Sequence, residues 1–292
     1  MQKYVPSYFC MSPNGTLDQI FAGEERMKIH ANGINMNCEL TGEGKCVALV
    51  HGFGDNLQMW YNQVSEFAKR YQVLTYDVRG FGLTEKTREP YSIDLFAKDL
   101  YELLGVLEIS SACVLGFSMG GRIALEFALG YPKMTTGLIL ANYCVETFPR
   151  PEMAKHRKIM ASILRQGQIK TISETMTRGS FSPDFEKNNP AAFKRCIDIR
   201  MQNDPADYLE IMQAVDEALD APVDLSRLEC PVLMIAGDGD ALMGGSVAEY
   251  MKRAISNTRL KILSTGHLSA IEDPGKFNRA VLNFMEDLRL RQ

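Results

Sequence analysis

Ser118 is the first residue whose type and setting suggest chemistry, because it is the centre of a GFSMG string at residues 116–120. The apolar run ACVL precedes that string at 112–115, and the amphipathic stretch GRIALEFAL follows it at 121–129. A buried strand that turns sharply into a helix holds such a serine with its Oγ exposed, and the flanking glycines allow the turn. The pattern therefore predicts a nucleophilic serine.

A serine nucleophile needs a base, and histidine is the side chain whose pKa suits that role. The chain has only four histidines. His30 lies in a predicted hairpin, His156 falls on a predicted solvated helical face, and His51 is placed to order a neighbouring loop. His267 follows the last predicted strand, at the strand end where ligands bind in open α/β sheets. We therefore predict His267 as the base.

The acid that orients this histidine should follow the strand before it, in the chain order serine, acid, histidine. A GDGD sequence at 237–240 occupies that place. Asp240 is far enough along the loop to turn back toward His267, so it is the predicted acid. Asp238 is the nearest competitor, with a turn residue's role as its simpler interpretation, and Glu146 is a minor alternative.

Charge that develops on a substrate oxygen requires two backbone donors. The Met119 amide is one candidate, because it begins the helix after the serine and the helix dipole favours negative charge there. The Phe53 amide is the other, in the glycine-flanked loop HGFG at 51–54 that follows an apolar strand. A plain tight turn is the alternative interpretation of that loop.

These residues need a scaffold that gathers the ends of several strands. Short apolar runs alternate with amphipathic segments, which is typical of a doubly wound, mostly parallel sheet covered by helices on both faces. An Asn-Gly pair at 32–33 predicts an antiparallel hairpin at one edge. The predicted strands are Met27–His30, Ile34–Leu40, Val47–Val50, Val73–Tyr76, Ala112–Leu115, Leu138–Ala141, Pro231–Gly237 and Leu260–Leu263, with helices over Ser92–Val106 and from about Gly275 to Leu288.

Between residues 145 and 224 the strands stop and the periodicity becomes helical. We predict a helical cap over 145–224, inserted into a core formed by residues 1–144 and 225–292, with an N-terminal arm over 1–24. The predicted cap helices are Met153–Arg165, Gln168–Thr177, Ala191–Met201 and Pro205–Ala218.

Several other residues invite a binding role but have simpler explanations. Asp77 and Arg79 are predicted to tie a glycine-rich loop through charge-assisted hydrogen bonds rather than to clamp substrate. Arg122 is expected to pack or hold a loop, with contact to a substrate carboxylate as the alternative. Phe53, Trp60 and the methionines of the predicted cap could line a pocket, although aromatic residues and methionine are core residues by default.

Composition limits the possible partners. The chain has 292 residues, 46% hydrophobic and 23% charged, with a net charge of −4 and no basic cluster, so we expect neither nucleic-acid nor membrane-surface binding. The seven cysteines lack metal-binding spacing and most lie in or beside apolar strands. Without a signal-peptide pattern or a run of about 20 apolar residues, the sequence predicts a cytoplasmic protein with reduced cysteines.

From about Met27 to its C-terminus, the chain resembles the α/β-hydrolase superfamily. It is most similar to the 3-oxoadipate enol-lactonase family, through DxRGxG at 77–82, GFSMGG at 116–121, LAN at 140–142 and HLSxxExP at 267–274. The resemblance implies Ser118 as nucleophile, Asp240 as acid and His267 as base, acting on an ester or lactone without a cofactor.

Two motifs differ from the lactonase pattern. The lactonases commonly carry an Asn-Ser-Leu-Gly loop, whereas the HGFG loop at 51–54 is similar to that of broader esterases and carbon–carbon bond hydrolases. The SMGGR string at 118–122 resembles the menaquinone-pathway synthase, a lyase.

The sequence therefore predicts a serine hydrolase that cleaves a small-molecule ester or lactone through an acyl-enzyme. A carbon–carbon bond hydrolase or lyase with the same triad is the first alternative, and a ligand-binding receptor on the same fold is the second. We also expect that the arm, with Tyr4, Val5, Tyr8 and Phe9, could pack on a neighbouring subunit in a homo-oligomer.

Overall fold

The computed structural model describes residues 26–87, 89–143, 145, 151–220, 223–241, 245–255 and 257–290. Within these ranges eight strands form one sheet, namely β1 (Arg26–Ala31), β2 (Ile34–Thr41), β3 (Cys46–Val50), β4 (Gln72–Tyr76), β5 (Ala112–Phe117), β6 (Thr135–Ala141), β7 (Val232–Gly237) and β8 (Thr258–Leu263). Their order across the sheet is β1-β2-β4-β3-β5-β6-β7-β8.

Strand direction divides the sheet into a short antiparallel part and a long parallel part. The hairpin of β1 and β2 pairs antiparallel, and β2 pairs antiparallel with β4. From β4 through β8 all neighbours are parallel. The carboxyl ends of these six strands therefore meet at one edge of the sheet.

Successive residues of the parallel strands point into two different cores, as the two-residue period of a strand requires. Ala48, Val114 and Leu140 pack in the core on one face. Leu49 and Leu115, one residue later in their strands, pack in the core on the other face. Burial on both faces explains why these strands are continuous apolar runs rather than alternating ones.

Helices cover both faces of the sheet. Helix α2 (Ile93–Val106) packs on β1 and on α3 (Met119–Gly130), which also contacts β5 and β6. On the opposite face, α1 (Tyr61–Phe67) packs on α11 (Pro274–Leu290), which contacts β6, β7 and β8. The remaining helices of the core are α9 (Gly245–Ala254), which contacts β7 and β8, and the short α10 (Ser269–Glu272).

Among the residues described between β6 and β7, the chain forms five α-helices, and we refer to residues 151–220 as the helical insertion. These helices are α4 (Pro151–Arg165), α5 (Ile169–Ser180), α6 (Phe185–Asn188), α7 (Pro190–Arg200) and α8 (Pro205–Asp220). They pack mainly on one another, through α4 with α8 and α5 with α7.

The predicted α/β fold with a mostly parallel, doubly wound sheet and an edge hairpin is confirmed. All eight predicted strands are present, with ends that differ by up to three residues because strand edges depend on pairing rather than on side-chain period. The sequence does not predict the short helix α6, because four residues carry no readable periodicity. The N-terminal arm lies outside the described residues.

Two further expectations concern cysteines and membranes. The described cysteines, Cys38, Cys46, Cys113, Cys196 and Cys230, are free and buried, as predicted. Among the helices that the structure describes, none is both long enough and apolar enough to cross a membrane.

Candidate active site

Ser118 occupies a strained turn between β5 and α3. Its φ of 51° lies in the left-handed region, which costs a non-glycine residue about 1–3 kcal/mol. A Cβ at Gly116 would lie 2.0 Å from the Gly120 carbonyl oxygen, and one at Gly120 would lie 2.2 Å from the Val50 carbonyl oxygen. Close backbone approach therefore requires both glycines of the motif, and this turn puts Ser118 at the carboxyl edge of the sheet.

Ser118, His267 and Asp240 form one hydrogen-bonded chain, although they follow three different strands. The Ser118 Oγ lies 3.0 Å from His267 Nε2, and His267 Nδ1 lies 2.8 Å from Asp240 Oδ2. The His267 and Asp240 residues are only 5% and 4% exposed, so bulk water does not compete for the histidine–carboxylate contact. A carboxylate accepts only, so His267 donates from Nδ1 and its Nε2 is available to accept the serine proton.

The structure distinguishes between the two acids of the β7 loop. Asp238 is exposed and accepts a hydrogen bond from Ser264 Oγ at 3.1 Å, away from the histidine. Asp240 also accepts from Asn142 Nδ2 at 3.1 Å, on the same Oδ2 that faces His267. Of these two aspartates, Asp240 is the one that contacts His267. Glu146, the minor alternative, lies outside the described residues.

His51 is fully buried and has both ring nitrogens occupied. The Val78 amide donates to its Nε2 at 2.8 Å, so Nδ1 carries the proton and donates to the Gly52 carbonyl oxygen at 2.9 Å. Burial is the main cause of a lowered pKa for His51, which keeps the ring neutral. His51 therefore orders its loop, as expected from the sequence, and has no nitrogen left to act as base.

The other two histidines do not join the serine. His30 is exposed, and its Nδ1 lies 3.2 Å from Asn35 Oδ1 in the β1–β2 hairpin. The side chain of His156 lies outside the described part of the structure.

The loop after β3 holds the Phe53 amide through the peptide bond that precedes it. The Gly52 carbonyl accepts from His51 Nδ1 and also from the Asp55 amide at 3.1 Å. Because the peptide is planar and trans, fixing the Gly52 oxygen fixes the opposite direction of the Phe53 N–H. Neither the Phe53 amide nor the Met119 amide has an acceptor among the residues that the structure describes, so both predicted donors are available.

The loop after β4 has the structural role that its sequence predicts. Asp77 accepts from the Leu57 and Leu83 amides, both at 2.8 Å, and thereby ties two loops together. Arg79 turns away and pairs with Asp99 of α2, with Nε 2.8 Å from Oδ2. Neither side chain is free to clamp a substrate.

The remaining candidates are structural as well. Arg122 is 6% exposed and pairs with Glu126 on its own helix at 2.8 Å. Trp60 is fully buried in the same core as Leu49 and Leu115, so it has no exposed surface with which to line a pocket. Phe53 is half-buried and packs edge-to-face on Tyr208 of α8, with ring centroids 4.8 Å apart.

Hydrogen bonds attach the helical insertion to loops at the carboxyl edge of the sheet. The sequence does not predict these contacts. Asn203 Nδ2 donates to the Gly54 carbonyl at 2.7 Å, beside Phe53. On the other side, the Leu268 amide donates to the Ser180 carbonyl at 3.0 Å, beside His267.

Glu272 strengthens the second attachment by linking the histidine loop to the insertion. Its carboxylate accepts from the Gly266 amide at 3.0 Å and from the Ser182 amide at 3.2 Å, and it also accepts from the Ser182 hydroxyl. The sequence offers one signal for this contact, the glutamate of the HLSxxExP string.

Within the described ranges, no group of three or more His, Cys, Asp and Glu side chains is arranged to hold a metal ion. The groups that the described residues bring together at this site are the serine, the histidine, the carboxylate and the backbone amides.

Comparison with known proteins identifies the family to which the chain belongs. A family model described as the alpha/beta hydrolase fold matches residues 45–149. The 3-oxoadipate enol-lactonase 2 of Acinetobacter baylyi is 30% identical over 253 residues, which cover 86% of this chain and 93% of the relative. The chain therefore belongs to the α/β-hydrolase superfamily.

Two solved structures are similar to this chain in fold and in sequence. The enol-lactonase from Burkholderia xenovorans LB400 superposes with a TM-score of 0.81 at 25% identity, covering 88% of this chain and 98% of that one. A thermophilic esterase from Thermogutta terrifontis superposes with a TM-score of 0.80 at 27% identity, covering 91% and 99%. Within its superfamily, this protein is a hydrolase that is similar in sequence and fold to an enol-lactonase and to an esterase.

Proposed function

We propose that this protein is a serine hydrolase that cleaves a carboxylic ester or lactone of a small molecule through an acyl-enzyme on Ser118. The observation that carries the proposal is the continuous chain of hydrogen bonds from Ser118 Oγ through His267 to Asp240. The available amides of Phe53 and Met119 support it, because acyl transfer requires donors for a developing oxyanion.

Acylation follows from the protonation states that the hydrogen bonds define. The Ser118 hydroxyl proton moves to His267 Nε2 while Oγ forms a bond to the carbonyl carbon, and the electron pair of the C=O π bond moves to the oxygen. The Phe53 and Met119 amides donate to that oxygen. Collapse of the tetrahedral intermediate breaks the bond to the alcohol oxygen, which takes the proton from His267.

Deacylation repeats the same steps with water. A water molecule gives a proton to His267 Nε2 and adds to the acyl carbon, and Ser118 Oγ then leaves with that proton. The products are a carboxylic acid and an alcohol, which remain parts of one molecule when the substrate is a lactone. Throughout, Asp240 holds the Nδ1–H tautomer and stabilises the imidazolium that forms.

The helical insertion is proposed to act as the cap over this site, as part of the predicted cap over 145–224. Its attachments at Gly54 and Leu268 support this role, because they lie on the two loops that flank Ser118. The relatives named as an enol-lactonase and an esterase support the ester or lactone as the bond cleaved.

We also propose that the protein is cytoplasmic and that it binds neither nucleic acid nor a membrane.

A fluorophosphonate probe tests the nucleophile directly, because it reacts with activated serines whatever the natural substrate is. We expect the parent protein to be labelled, Ser118→Ala to be unlabelled, and Ser264→Ala, a serine substitution outside the site, to be labelled like the parent. An unlabelled parent would overturn the proposal.

A substrate panel then tests the bond class. Short p-nitrophenyl esters and lactones should be hydrolysed, and a vinylogous diketone should not. Turnover of the diketone alone would establish a carbon–carbon bond hydrolase instead. A labelled protein that turns over none of these compounds would favour the ligand-binding receptor.

A further inference from the structure

We propose that Arg200 of the helical insertion is a positioning residue for the oxyanion-binding amide of Phe53, and that it acts through Asp55. This inference rests on the proposed function, because it assigns the insertion a part in the same acyl-transfer site. It makes the insertion a component of the oxyanion hole as well as a cover.

Arg200 and Asp55 form a buried ion pair across 145 residues of sequence. The Arg200 Nε lies 3.0 Å from Asp55 Oδ1, and the two side chains are 2% and 4% exposed. On the far side, Arg200 Nη1 donates to Thr177 Oγ1 of α5 at 3.1 Å. The guanidinium is thus fixed by its own helix bundle, and the carboxylate belongs to the loop after β3.

The position of Asp55 controls the Gly52–Phe53 peptide. The Asp55 amide donates to the Gly52 carbonyl at 3.1 Å, and that carbonyl shares a rigid plane with the Phe53 N–H. If Asp55 moves away, the Gly52 oxygen loses one of its two described donors and the Phe53 N–H can rotate. The Arg200 guanidinium therefore holds the Asp55 carboxylate in place. The Asp55 amide in turn holds the peptide that carries the Phe53 N–H, the oxyanion donor.

A second contact from the same turn of the insertion holds the other side of Phe53. Asn203 Nδ2 donates to the Gly54 carbonyl at 2.7 Å, and the Tyr208 hydroxyl donates to the same oxygen at 3.3 Å. Gly54 has a φ of +81°, and a Cβ there would lie 2.2 Å from the Tyr208 hydroxyl. The backbone on both sides of Phe53 is thus held from the α7–α8 region.

A buried ion pair adds little net stability, because desolvation of both charges offsets much of their attraction. Apolar residues of similar size often give the protein the same free energy of unfolding. The directional geometry of the ion pair, in contrast, fixes the position of a loop. The pair links the insertion to the residue that orients Phe53, and this location points to positioning as its role.

The test compares Arg200→Met with Arg200→Lys and with Arg178→Met. Arg178 is a matched control, because it pairs with Glu186 at 3.2 Å in the same insertion and is solvent-exposed. For a p-nitrophenyl ester, we expect Arg200→Met to lower kcat by roughly tenfold to a hundredfold with little change in KM, which is less than the ~10²–10³ that loss of a whole oxyanion donor costs. Arg200→Lys should recover part of that loss, and Arg178→Met should match the parent.

Two further measurements separate positioning from general damage. Inhibition by a trifluoromethyl ketone, whose adduct with serine carries an oxyanion, should weaken in parallel with kcat. The control ligand is the analogue that carries a methyl group in place of trifluoromethyl and a hydroxyl in place of the carbonyl. It cannot form an oxyanion, so its affinity should not change. A KM increase with unchanged kcat, or equal weakening of both ligands, would overturn the proposal.

Asp55→Asn keeps the proposal testable if Arg200→Met does not fold. It preserves shape and the Asp55 amide while weakening the attraction to Arg200, so a smaller loss of the same kind is expected. Parental kcat and ketone affinity in folded Asp55→Asn would refute the proposal. An unlabelled, inactive parent would overturn the proposed function together with this inference, whereas an active parent with unaffected variants would overturn the inference alone.

Discussion

His51 offers a sharp test of how the backbone of the oxyanion loop is held, because its two ring nitrogens serve two different partners. Nδ1 donates to the Gly52 carbonyl and Nε2 accepts from the Val78 amide. Asparagine places an amide nitrogen near the Nδ1 position, and glutamine places an amide oxygen near the Nε2 position. His51→Asn therefore keeps the Gly52 contact alone, and His51→Gln keeps the Val78 contact alone.

The two substitutions should have opposite effects on activity and stability. In His51→Gln, the Gly52 carbonyl keeps only its bond from the Asp55 amide, so the Phe53 donor loosens. A neutral hydrogen bond contributes about 0.5–1.5 kcal/mol, which predicts a loss in kcat of roughly two- to twelvefold. In His51→Asn the buried Val78 amide loses its partner, which costs about 1–3 kcal/mol of unfolding free energy with a smaller effect on kcat.

The assay combines ester hydrolysis with urea unfolding of the parent and both variants. We expect His51→Gln to be the slower enzyme and His51→Asn to be the less stable protein. If the two variants lose kcat equally, or if His51→Asn is the slower, the Gly52 carbonyl does not control the oxyanion donor.

Three further outcomes follow from the same geometry. Asp240→Asn should lower kcat by roughly 10⁴-fold by favouring the wrong histidine tautomer, whereas Asp238→Asn should leave ester hydrolysis at the parental rate; equal effects would contradict the assignment of the acid. Gly120→Ala should prevent stable folding, because its Cβ would lie 2.2 Å from a carbonyl oxygen of β3. Gly130→Ala has open space around it and should change the free energy of unfolding by less than about 1 kcal/mol. Thermal unfolding of both variants measures the difference. Burial lowers the pKa of His51 in the folded protein, so the unfolded chain binds the proton more readily. The contribution of neutral His51 to stability is therefore complete above about pH 6.5 and falls as the pH drops below that value. The melting temperature of the parent should fall more between about pH 7 and pH 5 than that of His51→Gln, and equal slopes would refute this.

Local patterns are sufficient to predict the scaffold and the residues that meet at its edge. Short apolar runs and the Asn-Gly hairpin signal predict the eight strands. Chain order on a parallel sheet then predicts that Ser118, Asp240 and His267 lie at one edge. The scarcity of histidine helps most, because it leaves His267 almost unopposed. These inferences can be drawn from the sequence because each depends on residues close in sequence or on a rule of chain order.

Contacts between distant segments could not be predicted in the same way. The pairing of Arg200 with Asp55 spans 145 residues, and nothing in the local sequence of either residue indicates its partner. The same is true of Asn142, whose amide reaches Asp240 across 98 residues. Periodicity shows which face of a helix is buried, but the partner of a buried polar group depends on tertiary packing.

The most direct test of Ser118 as the nucleophile is the hydrolysis of the best p-nitrophenyl ester by the parent and by Ser118→Ala, with folding of the variant verified by circular dichroism. Loss of the nucleophile removes the acyl-enzyme route, so kcat should fall by roughly 10³-fold or more. A folded Ser118→Ala variant that hydrolyses the ester at the parental rate would contradict this assignment.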